Sequence, residues 1–310
     1  MKHFPMPQTE ITAPNVVLGM MRIDQKTDQE IRTLVGTARD AGIDFFDHAD
    51  IYGGDHLCER RFGEAMHLNA TEREEITLQT KAGIVPEGNY FDYSYEHLIE
   101  AVDGSLKALR TDYIDILLLH RPDALVEPDE VARAFDDLQA SGKVRSFGVS
   151  NHTPRQIELL KKSVRQPLVV NQLQLSITHA PLIAQGVAAN MQASDQSVVR
   201  DGGGDLDYCR LSDMTVQAWS PFQAGLFNGV FLGDERYPEL NAVIDRLAAK
   251  YEVTPEAIAT AWITRHPAQI QVVLGTTTPQ RVTDAAAGSD LPLTRPEWYE
   301  LFRAAGYIVP

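Results

Sequence analysis

The chain has 310 residues, 44% of them hydrophobic, two cysteines and a formal net charge of −15. That length is enough for one large core. The acidity opposes binding to a nucleic-acid backbone, and two cysteines suit neither a disulfide scaffold nor a closed metal site. No apolar stretch is long enough to span a bilayer, and the opening Met1-Lys-His-Phe-Pro-Met-Pro7 is too polar and proline-rich for a signal peptide. A cytoplasmic protein with Cys58 and Cys209 as free thiols is expected.

Short apolar segments alternate with amphipathic ones along the whole chain. Ile11 to Leu18 predicts a lead-in strand, with Gly19-Met-Met-Arg22 ending the first barrel strand. Thr27 to Ala41 predicts a helix, with Asp28 and Glu30 near its start and Gly42 breaking it before the strand Ile43-Asp-Phe-Phe-Asp47. A strand from Ile76 ends at Lys81, and Ser94 to Leu109 has Leu98, Val102, Leu106 and Leu109 near one helical face. Tyr113 to Leu119 is the next strand and ends at His120. Then come helix Pro128 to Ala140, strand Val144 to Val149, helix Pro154 to Lys162 and strand Leu168 to Leu173. The interval 185–213, with Asp201-Gly-Gly-Gly204, reads as an irregular connection or insertion; it lacks the Lys-Ser/Thr and preceding strand of a phosphate loop. Strand Val216 to Trp219, helices Tyr237 to Tyr251 and Pro255 to Arg265, strand Ile270 to Leu274 and helix Pro279 to Ala287 complete the series. Eight strands with covering helices, and no linker between them, predict an α/β fold: a single (β/α)8 TIM barrel domain over residues 1–310, with a short N-terminal lead-in strand or hairpin.

Reactive side chains fall at the C-terminal ends of these strands, where a barrel enzyme holds its site. Tyr52 is a proton donor whose ordinary pKa is about 10. A protonated Lys81 nearby stabilises the phenolate and lowers that value, Asp47 orients the ammonium, and a neutral His120 donates to a developing oxyanion. Taken singly, each has a plainer reading: a turn residue for Asp47, an amphipathic wall for Tyr52, a snorkelling Lys81, a structural His120. Their joint placement at successive strand ends favours a site that needs no metal.

These segments resemble the aldo-keto reductase family, in its bacterial NADPH-dependent oxidoreductase subgroup. The resemblance runs through Gly42-Ile-Asp-Phe-Phe-Asp-His-Ala-Asp-Ile-Tyr-Gly53, Leu78-Gln-Thr-Lys81 and Asp115-Ile-Leu-Leu-Leu-His-Arg-Pro122. It continues in Gly142-Lys-Val-Arg-Ser-Phe-Gly-Val-Ser-Asn151, Asn171-Gln172, Ala218-Trp-Ser-Pro221 and Leu274-Gly-Thr-Thr-Thr-Pro-Gln-Arg281. It implies that Asp47, Tyr52, Lys81 and His120 form a catalytic tetrad for NADPH-dependent reduction of aldehydes or ketones to alcohols, with NADH less favoured. It assigns Ser150, Asn151 and Gln172 to the nicotinamide amide and Trp219, followed by Ser220, to the nicotinamide ring. Gly275, Thr276 and Arg281 fall to the segment that holds the adenosine 2′-phosphate. Gly275 and Ala285 depart from the Lys and Asn of many members, and Met20-Met21 replaces a smaller polar pair.

Met21, Ile23, Phe222 and Phe227 are candidate walls of the carbonyl pocket. The expected partner is a small-molecule carbonyl substrate; no nucleic acid, membrane or required protein partner is inferred. The alternative is a cofactor-binding regulatory or subunit protein with weak reductase activity. A metal-dependent hydrolase on the same barrel is disfavoured by the lack of a His/Asp ligand cluster.

Overall fold

The structure is a computed structural model that describes residues 1–188, 204–225 and 228–309. It opens on an antiparallel hairpin, β1 (His3–Pro5) against β2 (Thr12–Pro14), with Phe4 opposite Ala13. Eight further strands form a closed, all-parallel barrel: β3 (Val16–Gly19), β4 (Phe45–Asp47), β5 (Thr77–Ala82), β8 (Ile114–Leu119), β9 (Val144–Ser150), β10 (Leu168–Gln174), β11 (Thr215–Trp219) and β12 (Gln271–Leu274). Closure is made by β12 on β3, where Val272 lies beside Val16. A minor hairpin, β6 (Ile84–Val85) with β7 (Tyr90–Phe91), follows β5. The expected barrel is therefore present. The single segment foreseen over Ile11 to Leu18 is two strands, β2 and β3, which part at Asn15.

Helices cover the barrel. They are α1 (Asp28–Asp40), α2 (Leu57–Met66), α3 (Ala70–Glu74), α4 (Tyr95–Leu109), α5 (Pro128–Ala140), α6 (Pro154–Leu160), α7 (Pro181–Val187), α8 (Asp205–Leu211), α9 (Pro238–Tyr251), α10 (Pro255–Thr264), α11 (Pro279–Ala286) and α12 (Arg295–Ala304). Local chemistry sets their ends. Thr27 and Glu30 form a reciprocal capping box on α1, and Gly42, at φ 83°, turns the chain left-handed just beyond it, where a Cβ would be strained. Thr294 and Glu297 repeat the capping box on α12. Trp298 of α12 stacks on Trp262 of α10 at 4.9 Å, and each indole N–H donates to the other residue's carbonyl. In the interval foreseen as irregular, α7 ends at Val187 and α8 is a regular helix; residues 189–203, with most of the glycine run, lie outside the described residues.

Strand alternation divides the core in two. Val16, Leu18, Phe46, Leu78, Leu117 and Leu119 face outward and pack under the helices. Val17, Phe45, Ile116, Leu118, Val170 and Val273 face the bore, where the hairpin residues Phe4, Met6 and Ala13 join them. The hairpin thus closes the N-terminal end of the barrel, leaving the C-terminal ends of the strands as the open face. No helix among the described residues is long and apolar enough to cross a membrane.

Candidate active site

Four side chains converge at the C-terminal ends of β4, β5 and β8. Asp47 ends β4, Tyr52 sits in the turn that follows, Lys81 lies on β5, and His120 comes directly after β8. The Lys81 ammonium is fully buried and has four acceptors: both Asp47 carboxylate oxygens and the His48 carbonyl, each at 2.7 Å, and the Tyr52 hydroxyl at 3.1 Å. An ammonium only donates, so the phenol oxygen accepts and its own hydrogen is left for a partner on the open side. The His120 ring meets the Tyr52 ring edge-on, with centroids 5.9 Å apart.

The electrostatics separate the roles. Burial raises the Tyr52 phenol above its ordinary range; the Lys81 charge opposes this, and the Asp47 charge adds to it. The lowering foreseen from Lys81 is thus present but outweighed by burial. For Lys81, burial works against the charged form, yet Asp47 and Tyr52 reverse it and hold the amine above its usual value. His120 is held well below the ordinary histidine range by burial, then by the Lys81 and Arg121 cations, and is a neutral imidazole at neutral pH.

A polar wall continues along β9 to β11. Ser150 Oγ donates to the Gln172 carbonyl at 3.0 Å, Asn151 Nδ2 donates to Ser150 Oγ at 2.8 Å, and Trp219 Nε1 donates to Asn151 Oδ1 at 3.1 Å. Asn151 and Ser220 both have positive φ, 61° and 53°, so the backbone bends sharply where two strands end. Gln172 turns its amide into the bore, toward Asp47 at 3.1 Å. Gly275 and Thr276 follow β12, and Arg281 stands exposed in the first turn of α11. A Cβ at Gly275 would meet nothing within 4 Å. Arg281 has no ion-pair partner among the described residues.

The pocket walls divide. Met21 is exposed and Phe222 is half-buried, but Ile23 is wholly buried among core residues and lines no open pocket. Its neighbour Met20 is equally buried. Phe227 lies outside the described residues. A recess of about 440 Å³ between α7, α8 and α12 and a groove of about 1000 Å³ at the N-terminal end of the barrel are both lined without any tetrad residue.

Several residues of this region escaped the sequence reading. The Arg121 guanidinium lies 5.8 Å from the Trp219 ring centroid. Burial, and then the Glu59 charge, push the Asp50 carboxyl up to about 7. Gln79, beside Asp47 in the strand register, donates to its carboxylate at 2.6 Å. The legible signal for Gln79 was its parity with Lys81, since residues two apart on a strand share a face.

A barrel whose strand ends gather a buried carboxylate, an amine, a phenol and a neutral imidazole has the makings of an acid–base oxidoreductase. The comparisons agree: the Aldo/keto reductase family model matches residues 15–304, and the chain belongs to that family. The chain is 35% identical to an uncharacterised oxidoreductase, YcsN, of Bacillus subtilis, covering 95% of each. It is 34% identical to a 6-dehydroglucose reductase of Agrobacterium fabrum, over 94% of this chain and 93% of that one. In fold it is similar to an aldo/keto reductase from Klebsiella pneumoniae crystallised with NADP and acetate, at a TM-score of 0.74 and 22% identity, covering 99% and 96%. The chain is accordingly an enzyme that reduces carbonyl groups by hydride transfer from a nicotinamide cofactor.

The residues present fit such a cofactor. An aromatic face, a cluster of amide and hydroxyl groups, open space over Gly275 and an exposed guanidinium at a helix start are the donor set a nicotinamide dinucleotide phosphate calls for.

Proposed function

We propose that this protein is a cytoplasmic NADPH-dependent carbonyl reductase in which Tyr52 is the proton donor. One observation carries the reading: the Lys81 ammonium is clamped on the Asp47 carboxylate and donates to the Tyr52 hydroxyl at 3.1 Å. When bound, NADPH supplies the hydride. Tyr52 gives its proton to the substrate oxygen as charge develops there, and Lys81 stabilises the phenolate left behind. Asp47 fixes the ammonium in place. His120, kept neutral by burial, presents an N–H to the carbonyl oxygen and orients it without adding a charge. Trp219 and the Ser150–Asn151–Gln172 wall would hold the nicotinamide, and Gly275, Thr276 and Arg281 the 2′-phosphate, which favours NADPH over NADH. Both cysteines are buried free thiols, in keeping with a reducing compartment.

The Agrobacterium relative is named for an oxidised sugar, so hydroxylated aldehydes belong in the substrate panel beside aromatic aldehydes and dicarbonyls. The test is the absorbance of reduced cofactor with NADPH or NADH across that panel, without added metal. Turnover with NADPH is expected. Normal NADPH binding with no turnover on any carbonyl would replace this reading with that of a regulatory subunit.

A further inference from the structure

Barrel bores are usually filled by branched apolar side chains. Here the layer level with Asp47 is built of amides. Gln79, Gln172, Gln217 and Gln271 are all buried, on β5, β10, β11 and β12. Strand register sets Gln79 beside Asp47, and Gln217 between Gln172 and Gln271. Gln217 also reaches across the bore to Gln79 in a reciprocal amide pair, at 2.8 and 3.1 Å.

The ends of this chain fix its direction. At the lower end Gln271 Nε2 donates to the Pro14 carbonyl at 2.7 Å, and a carbonyl only accepts. Gln271 must therefore turn its oxygen to Gln217, which donates to it at 3.0 Å. The Gln217 oxygen is then left to accept, and does so from Gln79 and from Gln172 at 2.9 Å. Both of those amides point their remaining hydrogens at Asp47 Oδ1, at 2.6 and 3.1 Å. The upper end is a carboxylate, which also only accepts. Turning any one amide over would set oxygen against oxygen at one end or the other, so partner chemistry selects a single arrangement.

We propose that Gln79, Gln217 and Gln271 are positioning residues for the reductase: a directional chain of buried amides that holds the Asp47 carboxylate in one orientation for Lys81. This rests on the functional reading above. Asp47 Oδ1 accepts from two amides as well as from Lys81, so part of its charge is neutralised from within the bore. Without those donors the full carboxylate charge would bear on the phenol, making it a weaker acid, and the carboxylate could turn away from the ammonium. None of the three touches substrate or cofactor in this scheme; each acts through Asp47.

The test uses the full chain and the methionine variants Gln79→Met, Gln217→Met and Gln271→Met, which keep most of the volume and remove the amide. Gln79→Met should lower kcat about tenfold, the scale of a lost hydrogen bond to a charged group, with KM and the NADPH dissociation constant unchanged. Gln217→Met should lose less, and Gln271→Met less again. The double variant of Gln79 and Gln217 should lose less than the product of the two single losses, because Gln217 acts partly through Gln79 and partly through Gln172. Gln79→Glu separates positioning from packing. Protonated glutamic acid restores one donor to Asp47, so its rate relative to the parent should climb as pH falls.

A second readout needs no turnover: the absorbance change as the Tyr52 phenol ionises, with Tyr52→Phe as blank, should move to higher pH in Gln79→Met. Parent kcat in folded Gln79→Met, a Gln79→Glu ratio flat with pH, or an unmoved phenol midpoint would each overturn the proposal. Should Gln79→Met fail to fold, the milder Gln271→Met carries the same midpoint test. A parent enzyme that reduces no carbonyl would sink the reductase reading instead, and the phenol titration would still judge the amide chain.

Discussion

Lys81 and Arg281 carry the same charge and are housed in opposite ways. Lys81 is wholly buried and has four acceptors, two of them on one carboxylate. Arg281 is exposed on the last β/α turn, with no ion-pair partner among the described residues and open space over nearby Gly275. A cation that must tune a neighbour's proton has to be fixed before the substrate arrives, so its counter-ion is built in. A cation meant to grip an arriving anion keeps its valence free. On the proposed function, the contrast separates a region organised for chemistry from one organised for capture.

The largest expected effect breaks the chemical side. Tyr52→Phe should fold, bind NADPH nearly as well as the parent, and lose at least ~100-fold in single-turnover hydride transfer, the range for removing a general acid. Parent-like transfer would disqualify Tyr52 as donor and make His120 the next candidate. Lys81→Met should also be slow, and should destabilise the fold by about 3 kcal/mol in denaturant titration, because it strands the buried Asp47 carboxylate. Stability equal to the parent would mean that Asp47 finds another partner.

The capture side should respond more gently and more selectively. Arg281→Ala should weaken NADPH about tenfold in a direct binding titration and leave NADH unchanged, since only NADPH brings the extra phosphate. Equal losses for both would remove Arg281 from the phosphate site. Trp219→Ala should weaken both cofactors alike, by only several-fold, as expected for a lost stacking contact of about 1 kcal/mol. Unchanged dissociation constants would leave Trp219 as packing.

The smallest expected effect is none. Burial and two cations lower His120, so its imidazole is already neutral above its depressed pKa; burial raises Tyr52, so its phenol stays protonated beyond the ordinary tyrosine range. The single-turnover rate should therefore be flat from about pH 6 to about pH 8 and fall only as the phenol loses its proton at alkaline pH. A titration centred between about 6.5, the ordinary histidine value, and about 7, where burial and Glu59 place Asp50, would show that a charged imidazole or the Asp50 carboxyl takes part.

Much of this was legible in the sequence because it is local. The α1 helix is written in Thr27, Glu30 and Gly42, and α5 begins at Pro128, as foreseen. The convergence of Asp47, Lys81 and His120 was legible because each ends an apolar run, with Tyr52 five residues beyond Asp47. Helix α12 was missed although Thr294 and Glu297 write the same capping box as α1. What holds it, the Trp262–Trp298 stack, joins residues 36 positions apart. Ile23 was placed in a pocket because hydrophobicity alone does not say which side of a wall a residue faces. The glutamine layer went unread for a different reason. The four glutamines are scattered over four strands, and only barrel closure brings Gln79 against Gln217, 138 residues away.

The N-terminal hairpin has a consequence for the electric field within the barrel. Phe4, Met6 and Ala13 keep water off the lower end of the bore, and the Pro14 carbonyl is spent on Gln271. Solvent dipoles cannot then gather beneath Asp47, so the neutralisation it receives from that side comes from the amides of Gln79 and Gln172. The acidity of Tyr52 is in this sense governed partly from the far end of the barrel, by a pair of three-residue strands that never approach the substrate.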